Sequence, residues 1–230
     1  MADILQIAEA FRAALLARDR AAAARLVTAY GLAWERLQTQ LQSVAHQIEA
    51  ARARGEQPGK AWLLRQERFA ILLRDVEREL QTLAGFSEGL ITAAQRQEFA
   101  RGVADALAIL QAGAEQQPQA ATGQPAGPAP VAATFNRLPA RAVEQLVGTL
   151  GDGSPLAGLL RKLPGEGKAA VEQALIEGVA LGGNPRKVAL RMRDAFGGNL
   201  TRALRVARTE QIRAYRESTQ ATYRANSDRV

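Results

Sequence analysis

Apolar residues recur every three or four positions along a long stretch near the start of the chain, and this spacing limits what the chain can fold into. Such a period matches one face of an α-helix and not the alternation of a β-strand. Asp19 precedes the stretch as a candidate N-cap, so we predict a helix from there to about Arg54, after a separate amphipathic helix from Ile4 to about Arg18. The apolar seam of the longer helix comprises Leu26, Tyr30, Ala33, Leu37, Leu41, Val44, Ile48 and Ala51.

A second long helical stretch follows the turn Gly55–Gly59 and extends from Lys60 to about Ala112. Gly85 and Gly89 are predicted to break or bend it, because glycine is a poor helix former. Two long helices joined by a tight turn form an antiparallel hairpin, which we expect over residues 1–113. The seam of the second stretch comprises Phe69, Leu73, Val76, Leu80 and Leu83.

The clearest domain boundary is a segment of low complexity. Residues 115–133 consist mainly of Gln, Ala and Gly with four prolines. Such a segment has too little apolar surface to form a core. We therefore predict a flexible linker over 114–133 and a separate C-terminal domain over 134–230.

Short helices are predicted after the linker from proline, glycine and capping residues. Ser154 and Asn184 each stand before a proline, as an N-cap does before the first helical residue. Asn199 is predicted to cap the last helix, about Leu200 to Ala225. The predicted starts are Pro139, Pro155 and Pro185, and the predicted stops are Gly182-Gly183 and Gly197-Gly198. No strand pattern competes, so the fold class is all-α.

The net charge of +7 is concentrated at one end of the chain. Residues 184–230 contain 11 basic and 4 acidic residues, whereas the first 183 contain 19 of each. On a helical wheel the last helix has one largely apolar side: Leu200, Ala203, Leu204, Ala207, Gln211, Ala214, Tyr215 and Ala221. Opposite it lies a basic stripe of Arg202, Arg205, Arg213, Arg216 and Arg224. Such a stripe can follow DNA phosphates without reading bases; the alternative is a merely solvated face.

Three residues at the borders of these two sides have separate expectations. Arg208 is predicted to be partly buried and paired with a carboxylate, and Glu210 to pair with Arg213 three residues on. Thr209 is predicted to point outward. These residues are interpreted either as structural ion pairs or as a fixed docking surface for a partner.

The sequence contains no motif that indicates catalysis or cofactor binding. The chain has no cysteine and one histidine, His46, which flanks the first seam and is expected to be a bystander. No Gly-rich phosphate loop or nucleophile elbow occurs, so we expect neither an enzyme, a metal site nor a cofactor. The start of the chain lacks a secretory signal and no apolar run approaches a membrane span. We therefore expect a soluble, cytoplasmic protein with no membrane partner.

The C-terminal domain resembles a known family in an ordered set of motifs. Leu138-Pro139 comes first, then the segment Gly182–Phe196 with its Asn-Pro helix start, then a glycine pair and the segment Arg202–Glu210. The last segment ends in the tetrad Ala207-Arg208-Thr209-Glu210. These residues resemble the phage head-morphogenesis family, the minor head proteins like protein F of phage Mu. The resemblance covers about residues 138–230.

The resemblance implies a structural function. Family members are minor capsid proteins of the virion head, associated with the portal vertex and needed for head assembly and DNA packaging or delivery, without catalytic residues. It implies the portal protein as partner, with the major capsid protein and DNA as further candidates, in an oligomeric assembly in the virion and the host cytoplasm. Members usually continue past the last helix into a partly extended segment, and nothing located there carries over. The alternatives are a stand-alone non-specific nucleic-acid-binding protein and a scaffolding protein.

Overall fold

The computed structural model describes residues 4–116, 147–180 and 185–227. Helices cover 89% of these residues, and one isolated β-bridge, Thr149 with Pro155, is the extended pairing found among them. The predicted all-α class is therefore confirmed. The helices of the described residues are α1 (Ile4–Ala53), α2 (Lys60–Leu64), α3 (Glu67–Gln116), α4 (Leu156–Leu160), α5 (Leu163–Ala180) and α6 (Pro185–Ala225).

The chain forms two compact units. Unit 1 comprises Met1–Ala22, Leu90–Pro155 and Ala207–Val230, and unit 2 comprises Ala23–Gly89 and Leu156–Val206. Each unit combines segments from both sides of the predicted linker, because α1, α3 and α6 each contribute residues to both units. Residues 114–116 belong to α3, and the rest of the predicted linker lies outside the described residues. The division into 1–113, 114–133 and 134–230 stays a prediction.

The predicted hairpin is present in unit 2. Arg36 of α1 binds Glu79 of α3 through Nη2 at 2.6 Å, and Ser43 accepts a hydrogen bond from Arg68 at 2.5 Å. The sequence separation falls from 43 to 25 between these two contacts, so the helices run antiparallel toward the turn. Gly55, with φ of 81°, ends α1 in the left-handed conformation that glycine adopts without strain.

The hydrophobic core of unit 2 follows the two predicted seams. All eight residues of the first seam are buried, and so are four of the second, with Leu73 partly buried. Phe196 of α6 packs against the rings of Tyr30 and Trp34, with centroids 5.9 and 5.8 Å away. Buried residues of α5 and α6 complete the core: Val171, Leu175, Ile176, Val179, Val188, Met192 and Phe196.

Two predicted helix boundaries are wrong, since α1 continues through Asp19 and α6 continues through Gly197-Gly198. Of the predicted break or bend at Gly85 and Gly89, the break is absent, because α3 is continuous there. A glycine costs about 1 kcal/mol relative to alanine inside a helix, and tertiary packing on both sides outweighs that cost. The actual interruption in the second stretch lies between α2 and α3, at residues 65–66, where the sequence has no glycine or proline.

The predicted capping residues have other roles. Asn199 is buried inside α6, and its Nδ2 donates to the carbonyl of Leu163 at 2.9 Å. Ser154 binds Asp152 through its backbone N–H, and Pro155 lies in the β-bridge before α4. α6 does begin at Pro185, as predicted. Asn184, Gly182-Gly183 and the start at Pro139 lie outside the described residues.

Candidate functional site

The basic stripe of α6 is only partly available at the surface. Arg202 and Arg205 lie in the part of α6 that belongs to unit 2, and both are exposed. Arg216 and Arg224 are exposed in unit 1. Within the described residues, the side chains of Arg205, Arg216 and Arg224 form no ion pair, whereas Arg202 pairs with Glu166 of α5 at the surface.

Arg213 has a different role from the other four. Its side chain is 15% exposed, and it contacts Glu210 at 2.7 Å and Glu217 at 3.4 Å. It also donates a hydrogen bond to the carbonyl of Thr149. Arg213 therefore links α6 to the loop before α4 instead of presenting its charge outward.

The opposite side of α6 packs as the wheel predicts. Ala203, Ala207, Gln211 and Ala214 are buried, and the remaining members of that side are partly buried. This confirms which side of the helix faces the protein.

The tetrad divides into two inward and two outward residues. Ala207 and Glu210 are buried, and Arg208 and Thr209 are exposed. The prediction that Arg208 is partly buried is wrong, since its side chain is 65% exposed with Nε 3.7 Å from Asp19 of α1. Leaving the guanidinium in water avoids its desolvation cost. The predicted carboxylate partner is present, and so is the pair of Glu210 with Arg213.

Glu210 holds three segments of unit 1 together. Its Oε2 accepts hydrogen bonds from Nε of Arg213 at 2.7 Å and from Nε2 of Gln95 at 3.2 Å. The same Gln95 donates to the carbonyl of Thr149 at 3.1 Å and accepts the N–H of Gly148 at 2.8 Å. Thus α3, α6 and the loop at 148–149 meet at one buried carboxylate.

A second buried carboxylate, Glu98 of α3, joins α3 to α1 and to α6 within unit 1. Arg18 of α1 binds both of its oxygens, Nε at 2.5 Å and Nη2 at 2.7 Å, and Gln211 of α6 donates at 3.1 Å. Nearby, Tyr215 donates to Asp105 at 3.0 Å, and burial together with this hydrogen bond raises the pKa of Tyr215. Gln95 and Glu98 were missed from sequence, because their partners are 53 to 115 residues away and no local pattern marks them.

Each unit has an open groove on its surface. One, of about 560 Å³, runs along the outer face of α6 in unit 1 past Arg208, Thr209 and Arg216. The other, of about 540 Å³, lies in unit 2 between α1 and α6, with Trp34 and Leu190 among its walls. The groove in unit 1 has three arginines, Arg208, Arg213 and Arg216, in its lining, and it contains the outward half of the tetrad.

The buried carboxylates are held by cations and amides, so the arrangement can position helices and present a surface. In the part of the chain that the structure describes, no three His, Asp or Glu side chains gather as a metal site would require. No described helix is long and apolar enough to cross a membrane. No protein family, curated protein or solved structure matches the chain in comparisons of its sequence and structure.

Proposed function

We propose that the chain is a structural minor head protein of a tailed phage or prophage, associated with the portal vertex and acting in head assembly and DNA packaging or delivery. The observation that carries the proposal is the tetrad Ala207-Arg208-Thr209-Glu210, in order after the Asn-Pro helix start. Its inward pair and outward pair suit a docking surface: Glu210 anchors the helix and its neighbours face a partner.

A docking surface works best when the side chains that face the partner are held on a rigid element. Arg208 and Thr209 lie on a continuous 41-residue helix. The buried ion pair of Glu210 with Arg213 and the amide of Gln95 fix that helix to α3. This supports a role in recognition for the exposed pair and a structural role for Glu210.

Co-purification with a portal protein from a lysate in which heads assemble is the direct test. We expect the wild-type chain to associate, and the double variant Arg208→Ala/Thr209→Ala to associate at least tenfold less while its melting temperature is unchanged. A matched control is Arg96→Ala/Gln97→Ala, an exposed arginine and its polar neighbour on α3, which should associate as the wild type does.

Failure of the wild-type chain to associate with any head component would contradict the proposal. Retention in mature particles distinguishes a head protein from a scaffolding protein, since a scaffold leaves the particle before maturation ends.

A second candidate, non-specific nucleic-acid binding, is favoured by Arg205, Arg216 and Arg224, which are exposed and form no ion pair among the described residues. Each phosphate contact contributes about −0.9 to the slope of log affinity against log salt. Changing these three arginines to glutamine should therefore reduce the slope by about 3.

The matched control for this experiment removes the same charge elsewhere. Arg65, Arg74 and Arg96 are exposed on other parts of the chain, and their triple glutamine variant should keep the wild-type slope. No detectable DNA affinity at about 50 mM salt, where phosphate contacts are strongest, would remove this candidate.

A further inference from the structure

Unit 1 and unit 2 bury different kinds of side chain. Unit 2 has 25 buried apolar residues among its described residues, with Ser87 and Asn199 as its buried polar ones. Among the described residues of unit 1, as many polar or charged side chains are buried as apolar ones. The seven buried apolar residues in this part of the chain are Leu90, Ile91, Phe99, Ala106, Leu110, Ala207 and Ala214, and the seven buried polar ones are Gln95, Glu98, Glu210, Gln211, Ser218, Thr222 and Asn226.

The buried polar groups of unit 1 stabilise it weakly. Ser218 and Thr222 donate to backbone carbonyls of α6 itself, each at 2.8 Å. Oε1 of Gln211 is buried and has no hydrogen-bond partner among the residues that the structure describes, which is unfavourable. The ion pair of Arg18 with Glu98 must offset the desolvation of a carboxylate that is 1% exposed, and such pairs give little net stability.

The apolar surface of unit 1 is also less completely covered. The N-terminal part of α1 carries the apolar residues Ile4, Ile7, Phe11 and Leu15, and all four are only partly buried. The first buried residue of α1 is Leu26, which belongs to unit 2. Apolar burial is the main favourable contribution to folding, and the described residues of unit 1 have much less of it than those of unit 2.

The helix ends favour opening in unit 1. α1 begins there at Ile4, α3 ends there at Gln116, and α6 ends there at Ala225. All three helices can therefore shorten from a terminus to the boundary of unit 2. Shortening from an end leaves no interior break and needs no new helix nucleus on closing.

We propose that unit 1 is a conformational device that opens and closes locally while unit 2 stays folded. The inference goes beyond the proposed function and does not depend on it, and the rigid docking surface described above belongs to the closed form of unit 1. Segments with few buried apolar contacts open at free energies below that of global unfolding, and here those segments are the unit 1 parts of α1, α3 and α6.

Hydrogen exchange of the full chain, followed by mass spectrometry at increasing urea, tests the proposal. We expect peptides from residues 90–116 and 207–225 to exchange through openings at least about 100-fold more frequent than those of residues 26–51, 67–83 and 163–180. Their exchange should also accelerate at lower urea. A single transition in which all these peptides exchange together would overturn the proposal.

A variant tests whether the buried ionic group is the reason why unit 1 opens. Arg18→Met/Glu98→Leu/Gln211→Leu replaces the buried ionic group by apolar side chains, a change that is often neutral or stabilising. We expect exchange in unit 1 to slow about tenfold, with exchange in unit 2 unchanged. The control Arg36→Met/Glu79→Leu removes an ion pair of unit 2 and should leave unit 1 as it is.

If the triple variant folds and its unit 1 exchanges faster than the wild type or at the same rate, the buried ionic group is not the reason why unit 1 opens. If the triple variant does not fold, the urea series on the wild-type chain still decides whether unit 1 opens by itself.

Discussion

Single buried carboxylates determine how the helices of unit 1 meet. Glu98 and Glu210 are 1% and 3% exposed, and each accepts hydrogen bonds from one arginine and one glutamine. A buried charge is tolerable only when its partners are in place. Each carboxylate therefore specifies the register of helices whose residues are far apart in sequence.

Replacing Glu210 by glutamine should destabilise unit 1 by about 3 kcal/mol, because the largely buried Arg213 would lose its nearer carboxylate and keep only Glu217, 3.4 Å away. The free energy of opening of residues 207–225, from hydrogen exchange, measures this. The neighbouring exposed residue gives the control: Thr209→Ala should change it by less than about 0.5 kcal/mol. Equal effects of the two variants would show that Glu210 is not an anchor.

Gly102 marks a close approach of α3 to α6. A Cβ at this position would collide with Oγ of Ser218 and lie 2.6 Å from the carbonyl oxygen of Tyr215. We expect Gly102→Ala to lower the free energy of unfolding by about 2 kcal/mol through overpacking, measured by thermal denaturation. Gly113→Ala, on the same helix with open space around it, should be neutral or stabilising. A stabilising Gly102→Ala would contradict the packing.

The long helices persist because packing outweighs local preference. α6 has 41 residues and contains both Gly197 and Gly198. A sequence pattern assigns a helix stop to such a pair, yet Phe196 before it and Ala203 after it are both buried. Packing on both sides of the pair keeps the helix continuous.

Because α6 is continuous, we expect that replacing either glycine of the pair by alanine raises the stability of the protein. Apart from the chain neighbours and the adjacent backbone of α6, no described atom lies within 4 Å of a Cβ added at Gly197 or Gly198. Alanine at each position should therefore stabilise the helix by about 1 kcal/mol, measured by urea denaturation. Gly178→Ala is the contrasting variant, since its Cβ would lie 2.6 Å from Cγ2 of Val188, and it should destabilise. If replacing Gly197 and Gly198 by alanine lowered the stability, the pair would act as a hinge or a helix stop.

The whole molecule should lose stability at alkaline pH. Burial raises the pKa of Tyr30 from 10.0 to about 12, and burial also raises the pKa of Tyr223. Between pH 10 and about 12, Tyr30 loses its hydroxyl proton in the unfolded chain but keeps it in the folded protein. The stabilising contribution is therefore fully present below pH 10 and is lost as the pH rises toward 12.

Urea denaturation between pH 9 and 12 measures this loss. Tyr30→Phe cannot ionise, so its stability should fall by up to about 3 kcal/mol less than that of the wild type over the same range, at about 1.4 kcal/mol per pKa unit. If the stability of the two proteins fell in parallel with pH, the pKa of Tyr30 would be the same in the folded and the unfolded chain.

The sequence predicted the features that depend on residues close together in the chain, and it failed for those that depend on residues far apart. The apolar period from Leu26 to Ala51 predicted every buried residue of that seam, because a helix of fixed pitch places those positions on one face. The inward side of α6 was predicted for the same reason. Whether Arg213 points outward could not be predicted, because Thr149 lies 64 residues away.

By itself the sequence determined the helical class, the hairpin turn at Gly55 and the faces that are buried, since these depend on local periodicity and on glycine's access to positive φ. Only the tertiary structure decided where helices continue, which arginine is sequestered, and that the described part of unit 1 buries polar side chains as often as apolar ones. Those outcomes depend on long-range contacts that compete with local preferences of about 1 kcal/mol, and a few buried contacts are enough to reverse a preference of that size.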